Sequence, residues 1–362
     1  MPVNETLATY SDYAFHSSVG IYLLAMLLHL GEYARVRAQA VLAREAALDR
    51  EAALDREAAL DREAALDREA VPAGAVAEPV GALTERAGVV VDPAAPVVDP
   101  ADTPSGLASV GAPRRSWPER FGRMAVALTI LGALVHIASV VIRGFAVARW
   151  PWGNMYEFIS AVCLMAVLTW LYVLRRNPGM RPLGAFVLLP VEVLLFLAGS
   201  ALYVKAAPVV PALQSYWLTI HVTAVSLASG LLMVAGVASV LFLVRRHSRG
   251  GGFLDVLPAA DTLDRAAYRV TIFAFPLYTF AVIAGAIWAE AAWGRFWGWD
   301  PKETVAFIVW VVYACYLHAR ATAGWRTGGA AWINVVGLIA MLFNLFFINL
   351  VTTGLHSYAG VG

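Results

Sequence analysis

Apolar residues along this chain gather into eight runs, near residues 14–33, 124–142, 157–174, 183–203, 217–244, 270–289, 302–318 and 331–353. Each is long enough to cross a hydrocarbon core of about 30 Å, a span that takes roughly 20 helical residues. The pattern predicts an all-α polytopic membrane protein with about eight transmembrane helices. Residues 1–33 hold the first helix, residues 124–362 the other seven, and residues 34–123 form a polar insertion between them.

The insertion opens on a repeat. Arg-Glu-Ala-Ala-Leu-Asp recurs at 44–49, 50–55, 56–61 and 62–67, and the repeating region runs from 44 to 70. These residue types favour helix. A six-residue period turns each successive leucine (Leu48, Leu54, Leu60, Leu66) about 120° around the axis, so no continuous apolar seam forms and a coiled coil is not expected. The i, i+4 pairs Glu45 with Asp49 and Glu51 with Asp55 are like-charged. The segment reads as a solvated helix or as a docking arm. From 71 to 113 the chain is rich in Ala, Val, Gly and Pro, the composition of a flexible linker.

Charge orients the chain. Of the 27 Lys and Arg, 22 fall in the loops 34–123, 175–182, 245–269 and 319–330, against Arg143, Arg149, Lys205, Arg295 and Lys302 on the alternate side. Without the long first loop the ratio is still ten to five, which places those loops in the cytoplasm and both termini outside. Met1 to Tyr13 lacks a basic leader and a small-residue cleavage site, so the first run is expected to be a retained helix. Composition agrees, with 60% apolar and 15% charged residues and a mean hydropathy of +0.66, which excludes a water-soluble globule. A net charge of +1 implies no nucleic-acid partner. Cys163 and Cys315 stand far apart in apolar runs, so neither a disulfide framework nor a paired-thiol motif is present, and the absence of Cys-x-x-Cys-His excludes a covalently haem-bearing cytochrome c.

Candidate chemistry concentrates in the stretch 288–304, between the sixth and seventh helices and on the outer face by the charge count. Trp288, Trp293, Trp297 and Trp299 offer flat aromatic faces, and the intervening glycines let a planar ligand approach the backbone. This composition suits either a porphyrin platform or an interfacial aromatic belt. Haem iron takes axial imidazoles. His221, four residues past Trp217, and His356, after the eighth helix, fall on that same outer face, as does His16; each is a candidate ligand or an ordinary hydrogen-bonded interface residue. His318 lies roughly 18 residues and about 27 Å of helical rise beyond Asp300, near the cytoplasmic boundary, as an inner haem ligand or a snorkelling helix-end residue. His29 is at similar depth and is a candidate second inner ligand. His136 at mid-membrane suits a helix-to-helix hydrogen bond, and His247 belongs to a basic loop. Arg295 and Lys302 are candidate partners for haem propionates. Glu192, in the fourth helix, is a candidate for proton coupling or for pairing with a neighbouring helix.

The run Trp293 to Arg320, with its Trp-Gly-Trp-Asp-Pro-Lys-Glu-Thr core and terminal Leu-His-Ala-Arg, resembles the tryptophan-rich "WWD" motif of haem-handling membrane proteins. Pro151-Trp-Gly-Asn-Met-Tyr-Glu157, Trp217-Leu-Thr-Ile-His221 and Gly354-Leu-His-Ser-Tyr358 extend the resemblance over roughly 120–360, and its type is the CcsA (ResC) cytochrome c biogenesis family of System II. The resemblance implies that His221 and His356 are outer axial ligands of haem b (iron protoporphyrin IX), held as a bound substrate against Trp293, Trp297, Trp299 and Asp300, with His318 the inner ligand. It implies a partner of the CcsB or ResB type carrying the other inner histidine, an apocytochrome c with Cys-x-x-Cys-His as acceptor, and a bacterial plasma membrane location with the WWD loop outside. The implied activity is that of a subunit of a cytochrome c haem-lyase complex, which presents haem for covalent attachment. The alternative is a haem transporter or delivery protein of the shorter CcmC type, without synthetase activity. A cytochrome b-like electron carrier is poorly supported, because only His29 and His318 come close to equal depth. The repeat insertion departs from the family pattern and receives no family role.

Overall fold

A computed structural model describes residues 3–69, 117–209, 213–248, 256–322, 325, 328–352 and 354–356. Its helices are α1 (Glu5–Glu69), α2 (Trp117–Val147), α3 (Met155–Arg176), α4 (Gly184–Ser200), α5 (Tyr216–His247), α6 (Ala260–Trp293), α7 (Pro301–Ala321), α8 (Gly328–Leu345) and a last turn, α9 (Phe347–Leu350), with a 3-10 turn at Pro178–Leu183 before α4. Among the described residues, eight helical spans are long and apolar enough to cross a membrane. The protein is an all-α, multi-pass membrane protein.

The chain divides into two compact units, Met1–Gln39 with Trp117–Gly362, and Ala40–Ser116. In the second unit the described part is helix through Glu69, and every side chain from Ala40 to Glu63 is exposed. That is the outcome of a repeat with no apolar seam. The linker expected at 71–113 lies outside the described residues. α2 begins seven residues before the apolar run at 124, because the polar turn around Glu119 and Arg120 is helical although too polar to count as span; Arg120 lies over the Trp117 ring at 5.4 Å.

In the first unit, α1 buries one seam: Ser11, Phe15, Ser18, Tyr22, Ala25, His29 and Glu32. These positions alternate in steps of four and three, the spacing that keeps one helix stripe against a partner. α2 answers with Gly122, Ala125, Thr129, Gly132, His136, Ser139 and Arg143 at the same spacing. Small residues let two helices approach closely in lipid. Ser11 and Ser139 exchange hydroxyl-to-carbonyl hydrogen bonds at 3.0 and 2.9 Å. A Cβ on Gly132 would come within 2.6 Å of the Tyr22 ring, and one on Gly122 would collide with the Glu32 carboxylate. His136 pairs with Ser160 at 2.8 Å and with the Tyr22 hydroxyl at 3.5 Å, which is helix-to-helix bonding at mid-membrane. Glu192 Oε1 is buried without a hydrogen-bond partner among the described residues.

α3 is the centre of the bundle, packed by α2, α4 and α5, with Ile159, Cys163, Val167 and Trp170 fully enclosed. α5 approaches it so closely that a Cβ on Gly230 would stand 2.7 Å from the backbone nitrogen of Ala166. Backbone cannot give way as a side chain can. We therefore expect Gly230→Leu to cost on the order of 1–3 kcal/mol or more by overpacking, while Leu54→Ala on the exposed repeat stays within about 0.5 kcal/mol. Thermal midpoints of the two variants in the same detergent measure this contrast.

Candidate functional site

One carboxylate folds the tryptophan turn. α7 opens on a capping box: Asp300 is the N-cap, Pro301 stands at the first helical position, and Glu303 at the third reaches back. Proline is suited to that place because its missing N–H is not needed there. Asp300 Oδ1 accepts from the Lys302 amide at 3.0 Å. Glu303 Oε2 accepts from the amides of Asp300 at 3.1 Å and Gly298 at 2.8 Å, and Arg295 Nη1 lies 3.2 Å from its Oε1. The turn itself is confined to 294–300, shorter than the stretch 288–304 read from sequence. Trp288 and Trp293 lie in α6, which ends at Gly294 in the left-handed conformation, φ 72°, the usual role of glycine after a helix. Trp299 is also left-handed, φ 58°.

Asp300 then ties in the end of the chain. Its Oδ2 accepts from the Leu355 amide at 2.8 Å, and its Oδ1 accepts from His356 Nδ1 at 3.0 Å. A Cβ on Gly354 would meet Oδ2 at 2.7 Å, so glycine is what lets this segment cross the carboxylate. Burial alone would raise the Asp300 carboxyl, but the hydrogen bonds from His356, Leu355 and Lys302 outweigh it and hold it at about 2.

His356 is thereby set beside two indoles, Trp288 at 5.8 Å and Trp293 at 5.0 Å between ring centroids. His221, from the first turns of α5, stacks on the same Trp288 at 6.1 Å and 11°. Its Nδ1 donates to the Ala281 carbonyl at 2.7 Å. Gly285 makes the room, since a Cβ there would stand 2.7 Å from the imidazole. Both histidines line one cavity between α3, α5, α6, α7 and α8, together with Trp297, Lys302, Glu303 and Trp152, and with apolar walls from Val222, Val225, Val282, Ala286 and Leu345.

The two ring nitrogens can be assigned roles. A carbonyl oxygen only accepts, so His221 Nδ1 carries the proton, and in the neutral ring the lone pair is on Nε2. An ionised Asp300 imposes the same tautomer on His356. Histidine ligands of metals typically hold their other nitrogen in such a bond, to a carbonyl or a carboxylate.

The opposite wall is a second loop of similar construction. Asn154 caps α3 through the Glu157 amide at 2.9 Å. Glu157 accepts from the Gly153 amide at 2.8 Å and pairs with Arg149 at 2.9 Å and Arg143 at 2.9 Å. In both loops an Arg eight residues before a Glu at the third helical position holds a Trp-Gly turn.

Residues 152–356 match the profile of the Cytochrome C assembly protein family. The chain belongs to that family. The match begins at Trp152 and ends at His356, both of which line the cavity. Among curated relatives, CcsA of Synechococcus sp. (strain CC9902) is 35% identical over 264 residues, covering 63% of this chain and 86% of its own. CcsA of Thermosynechococcus vestitus is 36% identical over 272 residues, covering 61% and 84%. These relatives place the chain in the CcsA type. Among solved structures, the cytochrome c haem lyase CcmF superposes with a TM-score of 0.56 at 16% identity, over 96% of this chain. The chain spans about half, 47%, of that protein, and the likeness concerns the fold.

Of the family's residues expected from sequence, His221, His356 and Trp297 line the cavity, Trp293 packs on His356, and Asp300 orients it. Trp299 is 66% exposed and touches Trp297 and Phe307. His318 lies at the far end of α7, exposed. His29 is not brought to it: it is enclosed by Trp170, at 5.3 Å, and by Gly184. Arg295 is occupied by Glu303, whereas the Lys302 ammonium donates to the Asn344 carbonyl at 2.9 Å. Sequence reasoning counted Trp288 among the aromatic faces of the stretch but gave it no contact with either histidine, although Gly285 one turn earlier on the same α6 face signalled a close approach there. It also left out Glu303 and the 152–157 loop.

A carboxyl whose folded pKa is depressed contributes stability above its ordinary value, near 4, and loses it as pH falls toward the folded value. Tryptophan fluorescence of the wild type should therefore report loosening of the turn between about pH 4 and 2, and Asp300→Asn should lack that transition. Glu303→Ala should cost about 1–3 kcal/mol from two orphaned amides and open residues 294–300 to limited proteolysis.

Proposed function

We infer that the cavity holds haem b as a substrate, ligated by His221 and His356, and presents it for covalent attachment to an apocytochrome c. The observation that carries this reading is the pair of imidazoles flanking Trp288 in one cavity, each oriented by a hydrogen bond from Nδ1, His221 to the Ala281 carbonyl and His356 to the Asp300 carboxylate. The apolar walls and Trp297 suit a porphyrin plane, and two imidazoles suit six-coordinate iron. Ligation by two imidazoles leaves no open position on the iron and so protects its reduced state. The attachment step is addition of a thiol across a vinyl group: the S–H bond breaks, a C–S bond forms, and the proton goes to the other vinyl carbon. The chain's own residues bind, orient and exclude water; the ring and the thiols supply the reacting bonds.

By the charge count the cavity end faces away from the cytoplasm, in a bacterial plasma membrane, with both termini on that side. His318, at the opposite end of α7, is an inner ligand whose mate comes from a CcsB or ResB-type partner, because His29 is enclosed elsewhere. The acceptor carries Cys-x-x-Cys-His, whose histidine replaces one outer imidazole. The alternative of delivery without attachment predicts a haem-loaded protein that captures no apocytochrome.

The test is a visible spectrum of the purified complex with its partner, together with the yield of mature cytochrome c. His221→Ala and His356→Ala should each abolish the low-spin bis-imidazole spectrum of the cavity and reduce mature cytochrome at least tenfold, with recovery when imidazole is added to the medium. Unchanged spectra and wild-type cytochrome levels in both variants would overturn the ligand assignment.

A further inference from the structure

Lys302 stands at the second position of α7, close to the positive end of that helix's dipole, where a cation is disfavoured. It points into a cavity with largely apolar walls, where a charge is costly unless it is paired. Among the described residues no carboxylate lies within ion-pair distance of its ammonium. The two acids nearest in sequence are already committed: Asp300 accepts from His356 and from the Leu355 and Lys302 amides, and Glu303 accepts from Arg295 and the Gly298 and Asp300 amides. The only side-chain hydrogen bond formed by the Lys302 ammonium among those residues is to the Asn344 carbonyl. An ammonium has three donors, so two remain for a group in the cavity. Arg295, the other cation of the turn, differs on this point, because its guanidinium is held by Glu303.

We propose that Lys302 is the carboxylate-recognition point of the cavity and pairs with a propionate of the bound porphyrin. This rests on the haem reading above and adds to it an orientation. In protoporphyrin IX the two propionates occupy one edge of the ring and the two vinyls lie toward the other. A propionate drawn to Lys302, beside the end of α8, turns the vinyl edge away from that lysine and toward the side of the cavity opposite it. Lys302 is a binding residue that sets which edge is presented.

The test compares two probes on the full-length protein in detergent: haem b and its dimethyl ester, which keeps the ring, iron and vinyls but has no carboxylate. Binding is followed by visible absorption titration. The wild type should bind the free acid at least tenfold more tightly than the ester. Lys302→Met should lower free-acid affinity to the level of the ester and leave ester affinity unchanged, and Lys302→Arg should restore most of the difference. Equal binding of acid and ester by the wild type overturns the proposal, even if Lys302→Met fails to fold. Equal weakening of both probes by Lys302→Met also overturns it, and assigns the lysine to holding the end of α8 alone. A wild type that binds neither probe with a bis-imidazole spectrum counts against the haem reading itself, a result separable from the other two.

Discussion

The Asp300 carboxylate is the constraint on which the cavity depends. It caps α7, fixes the segment that follows α8, and orients His356, all with two oxygens. These three tasks join parts of the chain that are more than fifty residues apart. Without that carboxylate the turn would lose its cap, and the last histidine its register against Trp288 and Trp293. Gly354 is the complement of this arrangement, since the carboxylate occupies the space where any other residue would carry its Cβ.

The same physical solution is used twice around the cavity. Each wall is a helix start whose third residue is a glutamate, and that glutamate gathers amides of the preceding turn and an upstream arginine. Buried acids are costly unless they are paired and hydrogen-bonded, and here both are. The result is a pair of rigid rims carrying Trp152 and Trp297. The space between them lies among α3, α5, α6, α7 and α8, of which α5 approaches α3 closely at Gly230.

Much of this was legible in the residues. The eight apolar runs gave the eight spanning helices because hydrophobic length is the dominant requirement in a bilayer. The repeat's solvated helix followed from a six-residue period that cannot build a seam. The charge count put the tryptophan segment, His221 and His356 at one end of the bundle together with His16, and it was the family resemblance that singled out His221 and His356. What escaped was information that only packing supplies. Trp288 read as one aromatic among several until α5 and the chain end were seen on either side of it. Glu303 stands within the tryptophan motif but was given no role, because a capping box shows its reach only once the turn has closed. His29 and His318 shared a depth in sequence, yet depth says nothing of azimuth: His29 is enclosed by Trp170 of α3 and Gly184 of α4, whereas His318 is exposed at the end of α7. Arg295 and Lys302 were indistinguishable as cations until their partners were known.

The buried stripe of α1 bears on how the protein enters its membrane. Ser18, Tyr22 and His29 lie within the apolar run of this helix and would face lipid if it were released alone, and polar and ionisable groups there are costly. Its counterparts on α2 are made only after the long polar stretch has been synthesised. The polar stripe is shielded from lipid only once α2 has packed against it, so in the bilayer the first two segments are stable as a pair rather than singly.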